Sequence, residues 1–130
     1  MTFRPLLLSL CSLAAAASVA SADGAFDSIK VEAGEALYDA ECHRCHADNS
    51  DDPSYGPTLV GVVGRAAGGV EGYEYSDALA NAGIVCTPAA LRAWIEDNTG
   101  LMPGTKMRHV GIEDRTVQDF ILAYLESISG

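Results

Sequence analysis

Positive charge is scarce in this sequence: 8 Lys and Arg stand against 18 Asp and Glu in 130 residues, a formal net charge of −10 at pH 7. Nucleic acids and anionic lipids are held by clustered Lys and Arg, so neither fits as a partner. The acidic surplus mainly serves solubility, and it leads to the expectation that a docking partner offers a positive or uncharged patch. Cysteine is scarce as well, at four. No second C-x-x-C and no H-x-x-x-H is present to complete a zinc site, which takes about four N or S ligands. Beyond residue 22 no apolar run approaches the roughly 20 residues of a spanning helix, so no membrane insertion is expected of the rest of the chain.

The first 22 residues have the pattern of an export signal. Arg4 precedes Leu6-Leu7-Leu8 and an Ala-rich run to Val19, followed by the small-x-small triplet Ala20-Ser21-Ala22. At roughly 15 residues the apolar run is short for a membrane span. Residues 1–22 therefore read as a signal peptide removed after Ala22, with Ala20 as second choice, and residues 23–130 as one domain. Its formal charge is 7 − 18 = −11, because Arg4 is the one basic residue lost. Cys11 leaves with the signal, so three cysteines remain and a disulfide scaffold has no even set to draw on.

The densest chemistry lies at Cys42-His43-Arg44-Cys45-His46. C-x-x-C-H is the pattern of covalent c-type haem attachment: each thiol can add to one porphyrin vinyl group, and the histidine that follows is left beside the iron. Zinc or a thiol-redox pair could also use Cys42 and Cys45. Zinc lacks its second pair, and a redox pair would need a βαβ setting that the sequence does not show. Export agrees with haem, because in bacteria this attachment takes place outside the cytoplasm. With Cys42 and Cys45 so used, Cys86 is left as a free thiol.

Periodicity predicts helices at both ends and two shorter ones between. Ala33, Leu37 and Tyr38 give a first helix over 29–42, with Gly34 on its apolar face as a candidate for close helix crossing. The Gly-rich stretch from Gly56 to Gly64 suits backbone lying against a flat ligand, and Leu59 to Val63 is read as a turn. Ser76 to Ala82 predicts a short helix stopped by Gly83. Thr87-Pro88 opens another, as hydroxyl cap and first-turn proline, with Leu91, Trp94 and Ile95 as its apolar stripe. Residues 98–107 are expected to be a loop. Val117, Phe120, Ile121, Tyr124, Leu125 and Ile128 then form the clearest amphipathic helix, with Glu113 and Asp114 at its positive end. So thin an all-α domain needs extra apolar surface, which a buried haem would supply.

Taken together, C-x-x-C-H, Gly56-Pro57-x-Leu59, Gly64-Arg65, Tyr75-Ser76-Asp77-Ala78, Gly83-Ile84, Pro103-Gly104-Thr105-Lys106-Met107, Gly111-Ile112 and Ala123-Tyr124-Leu125 resemble class I cytochrome c, nearest its mitochondrial and alphaproteobacterial branch. The resemblance spans nearly all of 23–130. It implies an all-α fold of about four to five helices and long loops wrapped around one covalently bound haem c. His46 would be the proximal iron ligand and Met107 the distal one, with Met102 as the alternative. Pro57 would accept a hydrogen bond from the His46 ring. Arg65, Tyr75 and Thr105 would lie near the haem propionates, Trp94 would stand where relatives turn an aromatic to the haem, and Gly34 and Tyr38 would pack on the last helix. The implied role is that of a soluble, monomeric, periplasmic carrier and not an enzyme. It would pass single electrons from a membrane quinol-oxidising complex to an oxidase, reductase or photosynthetic reaction centre. The alternatives are a dedicated acceptor of one periplasmic dehydrogenase, or a haem ligand-binding sensor with a labile Met. Three positions depart from the family pattern: Cys86 replaces a Trp, Leu79 an Asn, and His109 an aromatic near the exposed haem edge.

Overall fold

The strongest amphipathic stripe becomes the helix on which the rest is assembled. Arg115–Ser127 is helical, and Asp114 caps it by accepting hydrogen bonds from the Thr116 and Val117 amides at 2.8 and 3.1 Å. A carboxylate at that end also meets the positive pole of the helix. Ile121, Leu122 and Leu125 are buried along its inner face, each burial contributing roughly 1.5–3 kcal/mol.

The computed structural model describes residues 19–130, with side chains from Gly24 onward. Its helices are α1 (Val19–Glu41), α2 (Asp77–Ala80), α3 (Pro88–Glu96), α4 (Asn98–Leu101) and α5 (Arg115–Ser127). Among the described residues there is no strand, only isolated bridges between His46 and Gly56 and between Ala66 and Val85. The expected signal peptide lies mostly outside the described residues.

Helix α1 is already formed at Val19, where the described residues start, well before the predicted Ile29. Periodicity missed this part because its described apolar side chains are not buried: Phe26 and Ile29 are exposed. Its visible ties are local, Lys30 lying 4.6 Å above the Phe26 ring and 3.8 Å from Asp27. Further along, α1 crosses α5 at Gly34, where an added Cβ would run into the Phe120 carbonyl and the Tyr124 side chain. One turn later Tyr38 is 1 % exposed, with its ring 5.1 Å from that of Tyr124.

The short helices follow their caps. Ser76 caps α2 through the Leu79 amide, and Thr87 caps α3 through the Ala90 amide with Pro88 in the first turn. Helix α2 ends at Ala80, two residues sooner than predicted, with Asn81 as its C-cap. Helix α4 was expected to be loop. Asp97 nucleates it by accepting the Gly100 amide at 2.8 Å, a single capped turn too short and too polar for periodicity to register. Leu59 to Val63 forms turns, as predicted, and buries Val62.

Candidate functional site

Beside the α1–α5 pair lies an apolar cleft of about 370 Å³, within the size range of cofactor sites. One wall continues from the end of α1. The Cys45 and His46 amides both donate to the Cys42 carbonyl, at 3.0 and 3.1 Å, so Cys42, Cys45 and His46 reach the cleft from one continuous turn. Neither cysteine forms a disulfide. Burial, with Glu41 and Cys45 nearby, pushes the Cys42 thiol up to about 11, which keeps it protonated at neutral pH.

The backbone orients the histidine. His46 Nδ1 lies 2.7 Å from the Pro57 carbonyl oxygen, an acceptor only, so Nδ1 carries the proton and donates. Nε2 is left with its lone pair, and the Nδ1 bond is the one hydrogen bond shown for the ring among the described residues. Gly56 makes the fit possible: its amide donates to the Cys45 carbonyl at 2.7 Å, and a Cβ there would strike the imidazole. Burial, with a smaller contribution from His109, holds the His46 ring below its ordinary pKa, and the Pro57 bond opposes them. The ring is therefore neutral, the form that can ligate a metal.

A thioether is held in the same cleft. Trp94, from α3, donates its indole N–H to Met107 Sδ at 2.9 Å, and the Met107 amide donates to Thr105 Oγ1 at 3.3 Å. Thr105 is 2 % exposed. Arg65 donates to the Thr58 and Val60 carbonyls, both at 2.9 Å. The Tyr75 hydroxyl accepts the Val70 amide at 3.2 Å, and its ring meets Tyr73 edge-on.

Every site residue singled out on sequence lines this cleft except Met102, which caps α4 and faces elsewhere. The three departures from the family pattern, Leu79, Cys86 and His109, line it as well. His43, inside the C-x-x-C-H motif, does not: it lies 3.6 Å from Asp39 and 3.5 Å from Asp48 on the outside. Sequence reading missed Tyr55, Tyr73 and Gln118. The first two sit in polar loops with no periodic signal, and Gln118 is a polar residue on the buried face of α5, where it is fully enclosed.

The expectation about charge changes once positions are known. Exposed Arg44, Lys106 and Arg108 border the cleft, while Glu41 is the one acidic side chain among the described residues that does. Lys30, Arg92 and Arg115, away from the cleft, are each within ion-pairing distance of a carboxylate. The acidic surplus therefore describes the rest of the surface, and the cleft mouth is locally basic.

The residues fit an attached, metal-centred plate: two thiols on one turn, a neutral imidazole with one nitrogen unpartnered, and a thioether, all around one apolar cavity. The family model described as cytochrome c matches residues 31–129. Cytochrome c2 of Rhodopila globiformis is 42 % identical over 95 residues, covering 73 % of this chain and 90 % of that protein. Cytochrome c2 of Blastochloris viridis is 34 % identical over 127 residues, 97 % of this chain and 94 % of that one. Among solved structures, cytochrome cH from Methylobacterium extorquens superposes with a TM-score of 0.68 at 43 % identity, over 75 % of this chain and 97 % of that one.

Proposed function

The chain belongs to the cytochrome c family, a monohaem electron carrier with one covalently bound haem c, and from that premise we propose that it is a periplasmic shuttle. On this reading residues 1–22 direct export. The protein then carries single electrons from a membrane quinol-oxidising complex to an oxidase, reductase or reaction centre, as a soluble monomer. The haem supplies the one-electron iron couple.

The chain's own residues supply the rest. Cys42 and Cys45 anchor the porphyrin. His46 serves as proximal ligand through Nε2, because Nδ1 is committed to Pro57, and such a bond also raises the basicity of the ligating nitrogen. Met107 serves as distal ligand, with Trp94 steadying its sulfur. With His46 and Met107 both bound, no position would be left open for O₂ or peroxide, and a thioether would favour the ferrous state and raise the potential. On this reading Arg65, Tyr75 and Thr105, which line the same cleft, would receive the propionates. The basic mouth formed by Arg44, Lys106 and Arg108 suits a partner whose docking patch is acidic or neutral.

The observation that carries this reading is the neutral, Pro57-oriented His46 sharing one apolar cleft with Met107. The test is a redox spectrum of the purified protein with haem counted per chain, repeated for two variants. Met107→Ala is expected to become high spin or to take up an external ligand, and Met102→Ala to stay low spin. The reverse pattern refutes the ligand assignment. Ready CO binding by the unaltered protein at neutral pH would replace the carrier with a sensor whose methionine is labile.

A further inference from the structure

We propose that Tyr55 is a positioning residue for Met107, acting across the mouth of the cleft through the Lys106 carbonyl; the inference rests on the reading of Met107 as iron ligand. The Tyr55 hydroxyl donates to that carbonyl at 2.6 Å, over a sequence separation of 51 residues. Among the described residues it is the one hydrogen bond that joins the segment 42–57, which carries His46 and Pro57, to the segment 102–112, which carries Met107. Its position is telling on both sides. Tyr55 immediately precedes Gly56 and Pro57, whose backbone seats the His46 ring. Lys106 immediately precedes Met107. Among the described residues a longer contact also spans the two walls, the 3.9 Å approach of His109 Nε2 to Glu41, the residue before Cys42, so the Tyr55 bond is the shorter tie and the one that acts next to Met107.

A third loop braces the latch. The Tyr73 hydroxyl donates to the Tyr55 carbonyl at 2.8 Å, and Lys106 Nζ donates to the Glu74 carbonyl. The loops around 55, 73 and 106 are thus tied to one another at the point where each borders the cleft. The Met107 segment has other fixings: Arg108 donates to the Thr105 carbonyl at 2.9 Å, and the Ile112 amide to the Ile95 carbonyl at 2.9 Å. Those bonds fix the segment's own turn and its far end, and none of them reaches the wall that carries His46.

Tyr55 is 60 % exposed, so removing its hydroxyl leaves no buried group stranded and the fold is expected to survive. That separates positioning from bulk stability. The experiment uses ferric holoprotein and imidazole as external ligand, which binds only when Met107 has swung away from the iron. Tyr55→Phe is expected to bind imidazole about fivefold faster than the parent, the effect of one neutral hydrogen bond removed from the closed state. Haem content, helical signal and the Met–iron charge-transfer band at neutral pH should be unchanged. Tyr55→Ala should match Tyr55→Phe, and Tyr73→Phe should shift the rate the same way by less. Parent-like binding by Tyr55→Phe overturns the proposal, and so does acceleration by Tyr55→Ala alone, because the ring and not the hydroxyl would then hold the loops. If Met107→Ala keeps the charge-transfer band, the ligand reading has failed instead, and this result is read independently of Tyr55.

Discussion

The α1–α5 interface and the cleft beside it are built on opposite terms. At the interface, protein packs on protein: Gly34 lies under the Phe120 carbonyl, the Tyr38 ring meets that of Tyr124 at a tilt, and Ile121 is fully buried. In the cleft, apolar side chains such as Leu91, Leu79 and Ile112 line a cavity of about 370 Å³. Loops form most of its walls, tied by single hydrogen bonds. The first region is a core the chain completes by itself. The second is a mould, and its inner surface is stable only when covered, because exposed apolar area costs roughly 25 cal/mol per Å². The haem is thus as much a structural element of this half as a helix is of the other.

The largest effect should come from withholding the plate. In Cys42→Ser/Cys45→Ser, hydrogen exchange is expected to lose protection throughout 42–67 and 102–112. Residual helical signal should remain in α1 and α5. Slow exchange persisting in the cleft loops of the haem-free chain would break the distinction drawn between the two regions. The converse insult is Gly34→Val. The new side chain meets backbone, which cannot move aside as a side chain can, so a loss of about 3 kcal/mol or more is expected. Chemical denaturation of the holoprotein measures it. A loss below about 1 kcal/mol would mean that the helix crossing is looser than its geometry implies.

Gln118 joins the two regions and gives the intermediate effect. It is fully buried on α5; its amide nitrogen donates to the Ile112 carbonyl at the end of the Met107 segment, and its oxygen accepts from Arg92 at 3.4 Å. Gln118→Leu fills the same volume but leaves the Ile112 carbonyl without its partner, at an expected cost of about 1–3 kcal/mol. Arg92 keeps Asp119. If the substitution lowers stability without increasing hydrogen exchange at 108–112, Gln118 belongs to the helix core alone.

The two regions were unequally legible. Helix α5 and the crossing at Gly34 could be read because burial on one face imposes a period, and a lone glycine in an apolar stripe needs a reason. The haem attachment was legible because covalent bonding demands a fixed spacing of the two thiols, Cys42 and Cys45. Helix α4 and the first part of α1 were not, since one rests on a single Asp97 cap and the other, over residues 24–29, is helical with its side chains exposed. Tyr55 was silent for a deeper reason: its partner is a backbone carbonyl, which every residue has, 51 positions away. Net charge was coarse for a related reason. It averages over the whole surface, and only coordinates reveal that three exposed cations, Arg44, Lys106 and Arg108, share one mouth.

The smallest effect concerns Cys86, which lines the cleft from the side of the Ala66–Val85 bridge. Burial pushes its thiol above the ordinary range, and the Arg65 charge opposes this in part. The sign follows: the folded protein favours the neutral thiol, a contribution present below the unfolded thiol's pKa and lost as pH rises through the folded one. Only the thiolate is alkylated. The native rate with iodoacetamide should therefore be slower than in the unfolded chain near pH 8, and its rise with pH should be displaced to the alkaline side. A profile displaced to the acid side would show that Arg65 outweighs burial. If the profile is the same with and without haem, Cys86 is shielded by the protein wall alone. A profile that returns to the ordinary thiol range in the haem-free chain would place Cys86 in the half of the molecule that the haem completes.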